Sequence, residues 1–466
     1  MPQPRARIIP DIYLLLAAWR YVEHSILRLI AGWGRLASAW EDKLAVCYHV
    51  WLQAQIVQAM RGRLGMFPGG KPEPGVRRLY QSLCDAVLTA PSWRQAMAGL
   101  HEVLNPAVVA AYDAYLRTAH PVHDRPTHEL LREALESKRR QAIWYSSFAA
   151  RHPEPIEARY AATIRQALAD AGHLLMPIEP AEPFALACGR QTNFRMQRTP
   201  GRLKEWESAP NIMPFLQIDW SHSVETRRLF FMIGYLWEMG VAEQQLRWLF
   251  YGDFMPWEFI YAEARHMWDE SRHGDSGRAR LADFGLDIAD VGYTSYGASG
   301  QDALPPMTPR DLYEEFYRIT QIAETGYFAT KRYCFEDFAL GRDDGSAEMM
   351  QFDIIDETSH VQYGQQWLTE MARRAGVTED YRQRGARERA EAQDQSDRRV
   401  EALRTFASTG ALPAGIDPSS DGFLGPHHSL RDERAAQHYH RLLRIVQQKT
   451  PLTNIAAAPI RPNLPM

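Results

Sequence analysis

Phe352–Gly364 reads FDIIDETSHVQYG. Asp356 and Glu357 stand one helical turn ahead of His360, with Phe352, Ile354, Ile355 and Val361 around them. Glu357 and His360 are three residues apart and so share a helical face. A carboxylate on an apolar helix face is costly to bury alone, so the stretch asks for a cation. One Glu-x-x-His proves little, because Glu and His fall at this spacing by chance in any helical protein. The chain carries a second copy, however. HMWDESRHGD, His266–Asp275, holds Asp269, Glu270 and His273 in the same Asp-Glu-x-x-His order.

Each copy also has an upstream partner. Glu324 in AETGYF lies 33 residues before Glu357, Glu238 in WEMGVA lies 32 before Glu270, and both read Glu-x-Gly. In an antiparallel helical hairpin, residues so spaced lie at one level across the pair. Helical periodicity predicts helices over 222–250, 255–285, 308–340 and 346–374, hence two such hairpins. The long Gly/Pro/Tyr-rich segment from Gly285 to Pro309 separates them. Short, long, short connection lengths predict an all-α, ferritin-like four-helix bundle with one long crossover.

That bundle brings four carboxylates and two imidazoles together. Glu238, Glu270, His273, Glu324, Glu357 and His360 form the predicted ligand set for two iron ions, with manganese or a mixed pair also accepted by such donors. Glu270, His273, Glu357 and His360 are the predicted catalytic core. Asp269 and Asp356 are placed to accept the free N–H of a ligating imidazole, the opposite motif's included. Three further candidates are Glu243, which competes with Glu238, and Glu263 and His266, another Glu-x-x-His one heptad before Glu270. Tyr235, Trp237, Trp268, Tyr327 and Phe328 are core aromatics by default and candidate cavity walls. His49, His427 and His428 read as ordinary histidines.

Working outward, residues 1–175 predict an all-helical domain, with helices near 10–35, 39–63, 75–88, 92–118, 126–150 and 154–173. A Pro-rich, irregular linker follows over 176–214, then the bundle over 215–375 and a helical extension over 376–466. The charged helix of that extension reads as a solvated face or a packing arm. Ile12–Trp19 (IYLLLAAW) follows Arg5 and Arg7 in the manner of a short signal peptide, but Arg20, Glu23 and His24 end the run. It is too short to span a bilayer and reads as an amphipathic helix.

The 466 residues carry a net charge of −4, which offers no general attraction to nucleic acid or to an anionic membrane. Four widely spaced cysteines contain no CxxC pair, so neither a zinc knuckle nor a disulfide framework is expected. A reducing cytoplasm is the expected compartment.

At the doubled Asp-Glu-x-x-His motif the chain resembles the ferritin-like di-metal carboxylate superfamily. Within it, residues about 225–370 are similar to bacterial ferritin-like proteins built on an uncharacterised domain. The stretches that carry the likeness are LWEMGVAEQQLRWLF, WDESRHGDSGRARLADFGLDIADVGY and IIDETSHVQYGQQWL. The resemblance implies a non-haem di-iron oxidase or oxygenase that uses O2 to hydroxylate, N-oxygenate or desaturate a small organic substrate. An external electron donor would supply reducing equivalents, because no flavin or iron–sulfur motif is present. The alternative is an iron-handling or peroxide-detoxifying protein without an organic substrate. The long N-terminal region departs from a minimal bundle; a degenerate second bundle, a dimerisation element of a homodimer and a lid are the readings open to it.

Overall fold

The computed structural model describes residues 9–178, 184, 186–221, 223–293, 303–411 and 430–449. His427 and His428 lie outside the described residues. Every regular element among those described is a helix, beside two isolated β-bridges, Val76–Phe184 and Gln197–Ala303. No described helix is long and apolar enough to cross a membrane. The chain divides into two compact units. One is Met1–Gly201, Gln245–Trp268 and Ala298–Pro306; the other is Arg202–Gln244, Asp269–Gly297 and Met307–Met466.

In the first unit the long helices are α1 (Ile9–Gly34), α2 (Trp40–Gly65), α3 (Asn105–Thr118) and α4 (Arg125–Arg151). From Leu15 to Gly34 nearly every residue of α1 is buried. The predicted amphipathic helix is therefore buried on all sides, its polar residues Arg20, Glu23, Ser25 and Arg28 included. Gly34 sits where a Cβ would fall 2.4 Å from Val46 Cγ1, so only glycine permits the close approach of α1 to α2.

A polar network lies at the centre of this unit. Lys138 Nζ donates to Glu23 Oε2 at 2.6 Å, Gln53 Oε1 at 2.9 Å and Asn105 Oδ1 at 3.1 Å. Tyr112 donates to Glu23 Oε1 at 2.6 Å, and Gln141 Nε2 donates to Gln53 Oε1 at 2.9 Å. The Lys138 and Glu23 side chains are 1% and 0% exposed. All three ammonium protons are used, so the buried charge is paired and hydrogen-bonded as burial demands.

The second unit holds most of α5 (Val224–Tyr251) and α6 (Trp257–Asp283), with α7 (Thr325–Leu340), α8 (Asp344–Ala375) and α9 (Tyr381–Thr409). Buried ion pairs tie these elements. Arg227 of α5 binds Asp337 of α7 at 2.8 Å, and Arg228 binds Asp343, the N-cap of α8, at 2.6 Å. Tyr235 of α5 meets Met350 Sδ of α8 at 3.6 Å.

The predicted unbroken helices over 92–118 and 308–340 each contain a π-helical segment, Gly99–Leu104 and Arg318–Glu324. Such segments are rare and concentrate at functional sites. They also expose a shared register. Glu23 is the fifteenth residue of α1 and Glu238 the fifteenth of α5. Gln53 is the fourteenth of α2 and Glu270 the fourteenth of α6. Asn105 and Glu324 are each the seventh residue counted from the start of a π segment. Lys138 is the fourteenth of α4 and Glu357 the fourteenth of α8, with Gln141 and His360 three further on. The intervals Asn105–Lys138 and Glu324–Glu357 are both 33 residues.

Candidate metal centre

Helix α5 supplies Glu238, α6 supplies Glu270 and His273, the end of the π segment supplies Glu324, and α8 supplies Glu357 and His360. These six predicted ligands come together. Their donor atoms sort into two groups, each with all atoms within 4.8 Å of one another: Glu238, His273, Asp353 and Glu357 in one, Glu270, Glu324 and His360 with His266 in the other. His266 stands one turn ahead of Glu270 on α6.

Two imidazoles organise the groups. His273 Nδ1 lies 3.1 Å from Glu238 Oε2 and 3.4 Å from Asp353 Oδ1. His360 Nδ1 lies 3.5 Å from Glu270 Oε1, 3.6 Å from Glu357 Oε2 and 3.7 Å from Glu324 Oε1. Glu270 faces both, its Oε2 being 3.9 Å from His273 Nδ1. One carboxylate thus faces both imidazoles. The Nε2 atoms point outward. His273 Nε2 lies 3.2 Å from Asp356 Oδ2, and His360 Nε2 lies 3.6 Å from Asp269 Oδ2, each aspartate belonging to the opposite motif. Arg272 joins the two aspartates, bonding Asp269 and reaching Asp356 Oδ2 at 2.7 Å.

The electrostatics reflect crowded charge. Burial pushes the Glu238 carboxyl up to about 8, although Glu238 is the most open of the six ligands, its side chain 21% exposed. Burial works to raise Glu357, but the Lys331 ammonium, His360 and His273 together outweigh it and hold that carboxyl well below the usual range. Burial works to lower His273, but Asp353, Asp356 and Glu238 together outweigh it and raise the imidazole well above its usual value. Without a counter-ion, this concentration of carboxylates would be strongly unfavourable. Glu238 Oε2, His273 Nδ1 and Glu357 Oε2 are buried with no hydrogen bond of normal geometry. Oxygen and nitrogen donors left so, converging from three helices, are a donor set that could hold a metal ion.

Sequence reasoning missed Asp353 and Lys331. Lys331 Nζ lies 2.7 Å from Asp353 Oδ2 and 2.8 Å from Glu357 Oε1. The signal was helical spacing: Asp353 is one turn before Glu357, and Lys331 is two turns beyond Glu324. Glu243 is buried but belongs to neither donor group, and Glu263 lies 3.5 Å from His266 Nδ1 outside both.

A cavity of about 760 Å³ opens beside the ligands. Glu238, Glu270, Glu324 and Glu357 line one side, Phe231, Tyr235, Trp237, Ile319, Ile322 and Tyr327 the walls, and Arg384 and Glu388 of α9 the far side. The charged helix of the extension is thus more than a solvated arm. Its Arg384 bonds Glu314 Oε2 at 2.8 Å and Glu388 Oε1 at 2.7 Å, closing the rim with paired charge.

Asp356→Asn keeps the side-chain size but removes the charge that orients His273. It should weaken metal binding about 10- to 100-fold, the usual cost of losing such a partner. Equilibrium titration with Mn2+ measures this, and an unchanged isotherm would show that Asp356 serves only Arg272.

No protein-family model matches the chain, and no curated protein or solved structure matches it.

Proposed function

We propose that the second unit is a ferritin-like four-helix bundle and that the protein is a di-metal oxidase or oxygenase acting on a small organic molecule with O2. The observation that supports this best is the pair of adjacent donor groups, with Glu270 facing the imidazoles of both, in the lining of a cavity with apolar walls. Two iron ions, or manganese or a mixed pair, would be held by Glu238, Glu270, His273, Glu324, Glu357 and His360, with Asp353 and His266 beside them. When bound, such ions supply redox equivalents and open positions for oxygen chemistry.

The rest falls to this chain's own residues. Phe231, Trp237, Ile319, Ile322 and Tyr327 exclude water and give an organic substrate an apolar surface. Asp269 and Asp356 orient the two imidazoles through Nε2, which leaves Nδ1 of each to face the ions. Tyr235, buried beside Asp353 and Glu238, holds its phenolic proton firmly, burial being the main cause. Electrons come from an external donor or from the substrate.

Anaerobically purified protein should hold about two ions per chain, as the ligand count requires. The ferrous form should then consume oxygen faster when a suitable organic substrate is added. Accumulation of many ions per chain, with no substrate effect, would replace this reading with iron handling.

Gly234 and Gly326 both line the cavity, and a Cβ added at either meets nothing within 4 Å. Gly326→Leu should therefore fill space that a substrate needs. Metal content is expected to stay at the wild-type level while substrate-stimulated oxygen uptake falls about tenfold or more. Equal loss of both would mean that the variant disturbs the helix, not the cavity.

A further inference from the structure

Lys331 deserves a role of its own in the centre. Its ammonium contacts one donor group: Asp353 at 2.7 Å and Glu357 at 2.8 Å, with the centroid of the Tyr235 ring 5.9 Å away. That group holds three carboxylates, Glu238, Asp353 and Glu357, and one imidazole. The five carboxylates of the two groups carry −5. Lys331 reduces this to −4, the charge that two divalent ions balance. Asp353 and Lys331 are thus a matched addition to the four-carboxylate set. The ammonium also stands where a divalent ion in this group would draw its ligands, so the two cations compete for the same oxygens.

We infer that Lys331 is the residue that sets unequal metal affinity in the two halves of the centre. The half built on Glu270, Glu324 and His360 fills first and holds its ion tightly. The half built on Glu238, His273, Asp353 and Glu357 takes the second ion weakly and exchanges it. This rests on the di-metal reading above. The test is anaerobic titration of the full chain with Mn2+, following free Mn2+ by its magnetic resonance signal. Wild type should bind two ions with stepwise constants at least tenfold apart. Lys331→Met and Lys331→Gln should each tighten the second step tenfold or more and leave the first within about threefold; Lys331→Arg should keep the wild-type gap. Two ions of equal affinity in wild type, or a gap that all three variants leave unchanged, would overturn the role of Lys331 alone. Wild-type protein that takes up no ion would overturn the di-metal reading itself. Loss of the helical circular-dichroism signal in both uncharged variants would make Lys331 a structural residue and also overturn the inference.

An independent observation concerns the first unit. Glu23, Gln53, Asn105, Lys138 and Gln141 occupy the helix positions of Glu238, Glu270, Glu324, Glu357 and His360, and His49 is the tenth residue of α2 as His266 is of α6. Each set also follows a π segment at the third helix. The geometry points to a tandem copy of one bundle, in which the first copy has exchanged metal for the ammonium of Lys138. That ammonium satisfies Glu23, Gln53 and Asn105 together, leaving no charge for an ion to neutralise. Consequently, among the described residues, the metal capacity resides in one bundle. Glu270→Gln/Glu357→Gln, which takes one carboxylate from each donor group, should abolish tight Mn2+ and Zn2+ uptake in the full chain. Lys138→Glu/Gln141→His, made in that background, should restore binding of at least one Zn2+ per chain. Tight residual metal in the first variant, or a folded second variant that binds none, would overturn the assignment. If the second variant does not fold, Lys138→Gln in the same background replaces it. Removing the ammonium should then raise Zn2+ affinity at least tenfold, and no change overturns the idea.

Discussion

Replacing Glu270 with alanine should empty the centre of both ions. Metal analysis is expected to fall from about two ions per chain to a small fraction of one, while the helical signal persists. Glu270 is chosen because its two oxygens face different imidazoles, Oε1 toward His360 at 3.5 Å and Oε2 toward His273 at 3.9 Å. A ligand to one position would cost one ion; a carboxylate addressed to both costs two. A second consequence follows from mass action. An ion present at a thousand times its dissociation constant stabilises the folded state by about 4 kcal/mol. Wild type should lose that stabilisation on chelation, whereas Glu270→Ala should melt at one temperature with or without chelator. Glu243→Gln is the matching control, since Glu243 belongs to neither donor group, and it should keep both ions. Two ions retained in Glu270→Ala would remove its shared role and with it the reading of the site.

The next largest effect is expected in the first unit. Lys138→Met should destabilise it by about 3–5 kcal/mol, the usual cost of leaving one member of a buried ion pair alone. Glu23 would keep Tyr112 and Gln53 as donors but would lose the Lys138 ammonium that balances its charge. Burial already pulls the Lys138 ammonium below its ordinary value, so the pair survives on geometry and on three well-placed acceptors. The double variant Glu23→Gln/Lys138→Met removes both charges and should recover most of the loss. Denaturant unfolding followed by tryptophan fluorescence measures this, with Trp19 packed edge-on against Tyr112 as the local reporter. A cost below about 1 kcal/mol for the single variant would mean that water reaches Glu23. Metal content should be unaffected, since the ligands lie on other helices.

Much of the site was legible because its chemistry is written in local spacing. Glu-x-x-His puts two donors on one helical face whatever the rest of the chain does. A repeat of the motif, each copy 32 or 33 residues after a glutamate, then needs only antiparallel hairpins to converge. All-helical structure was equally legible, from periodicity with almost no alternating β-branched runs. Asp353 and Lys331 were not singled out. Both lie on the correct faces, but lysine at helical spacing is common on solvated surfaces and only packing shows that this one is buried. The register shared by Glu23, Gln53, Asn105 and Lys138 with the metal ligands was hidden for a different reason. The positions agree while the side chains have exchanged acid for amide and ammonium, so no motif remains to be found.

The amino-acid order alone thus determined the helical class and the six convergent donors, because both follow from periodicity along single helices. Tertiary packing decided which aspartate faces which imidazole, where a buried lysine gathers three acceptors, and that a charged C-terminal helix lines the cavity. Those choices depend on contacts between residues far apart in the chain, which no local spacing encodes.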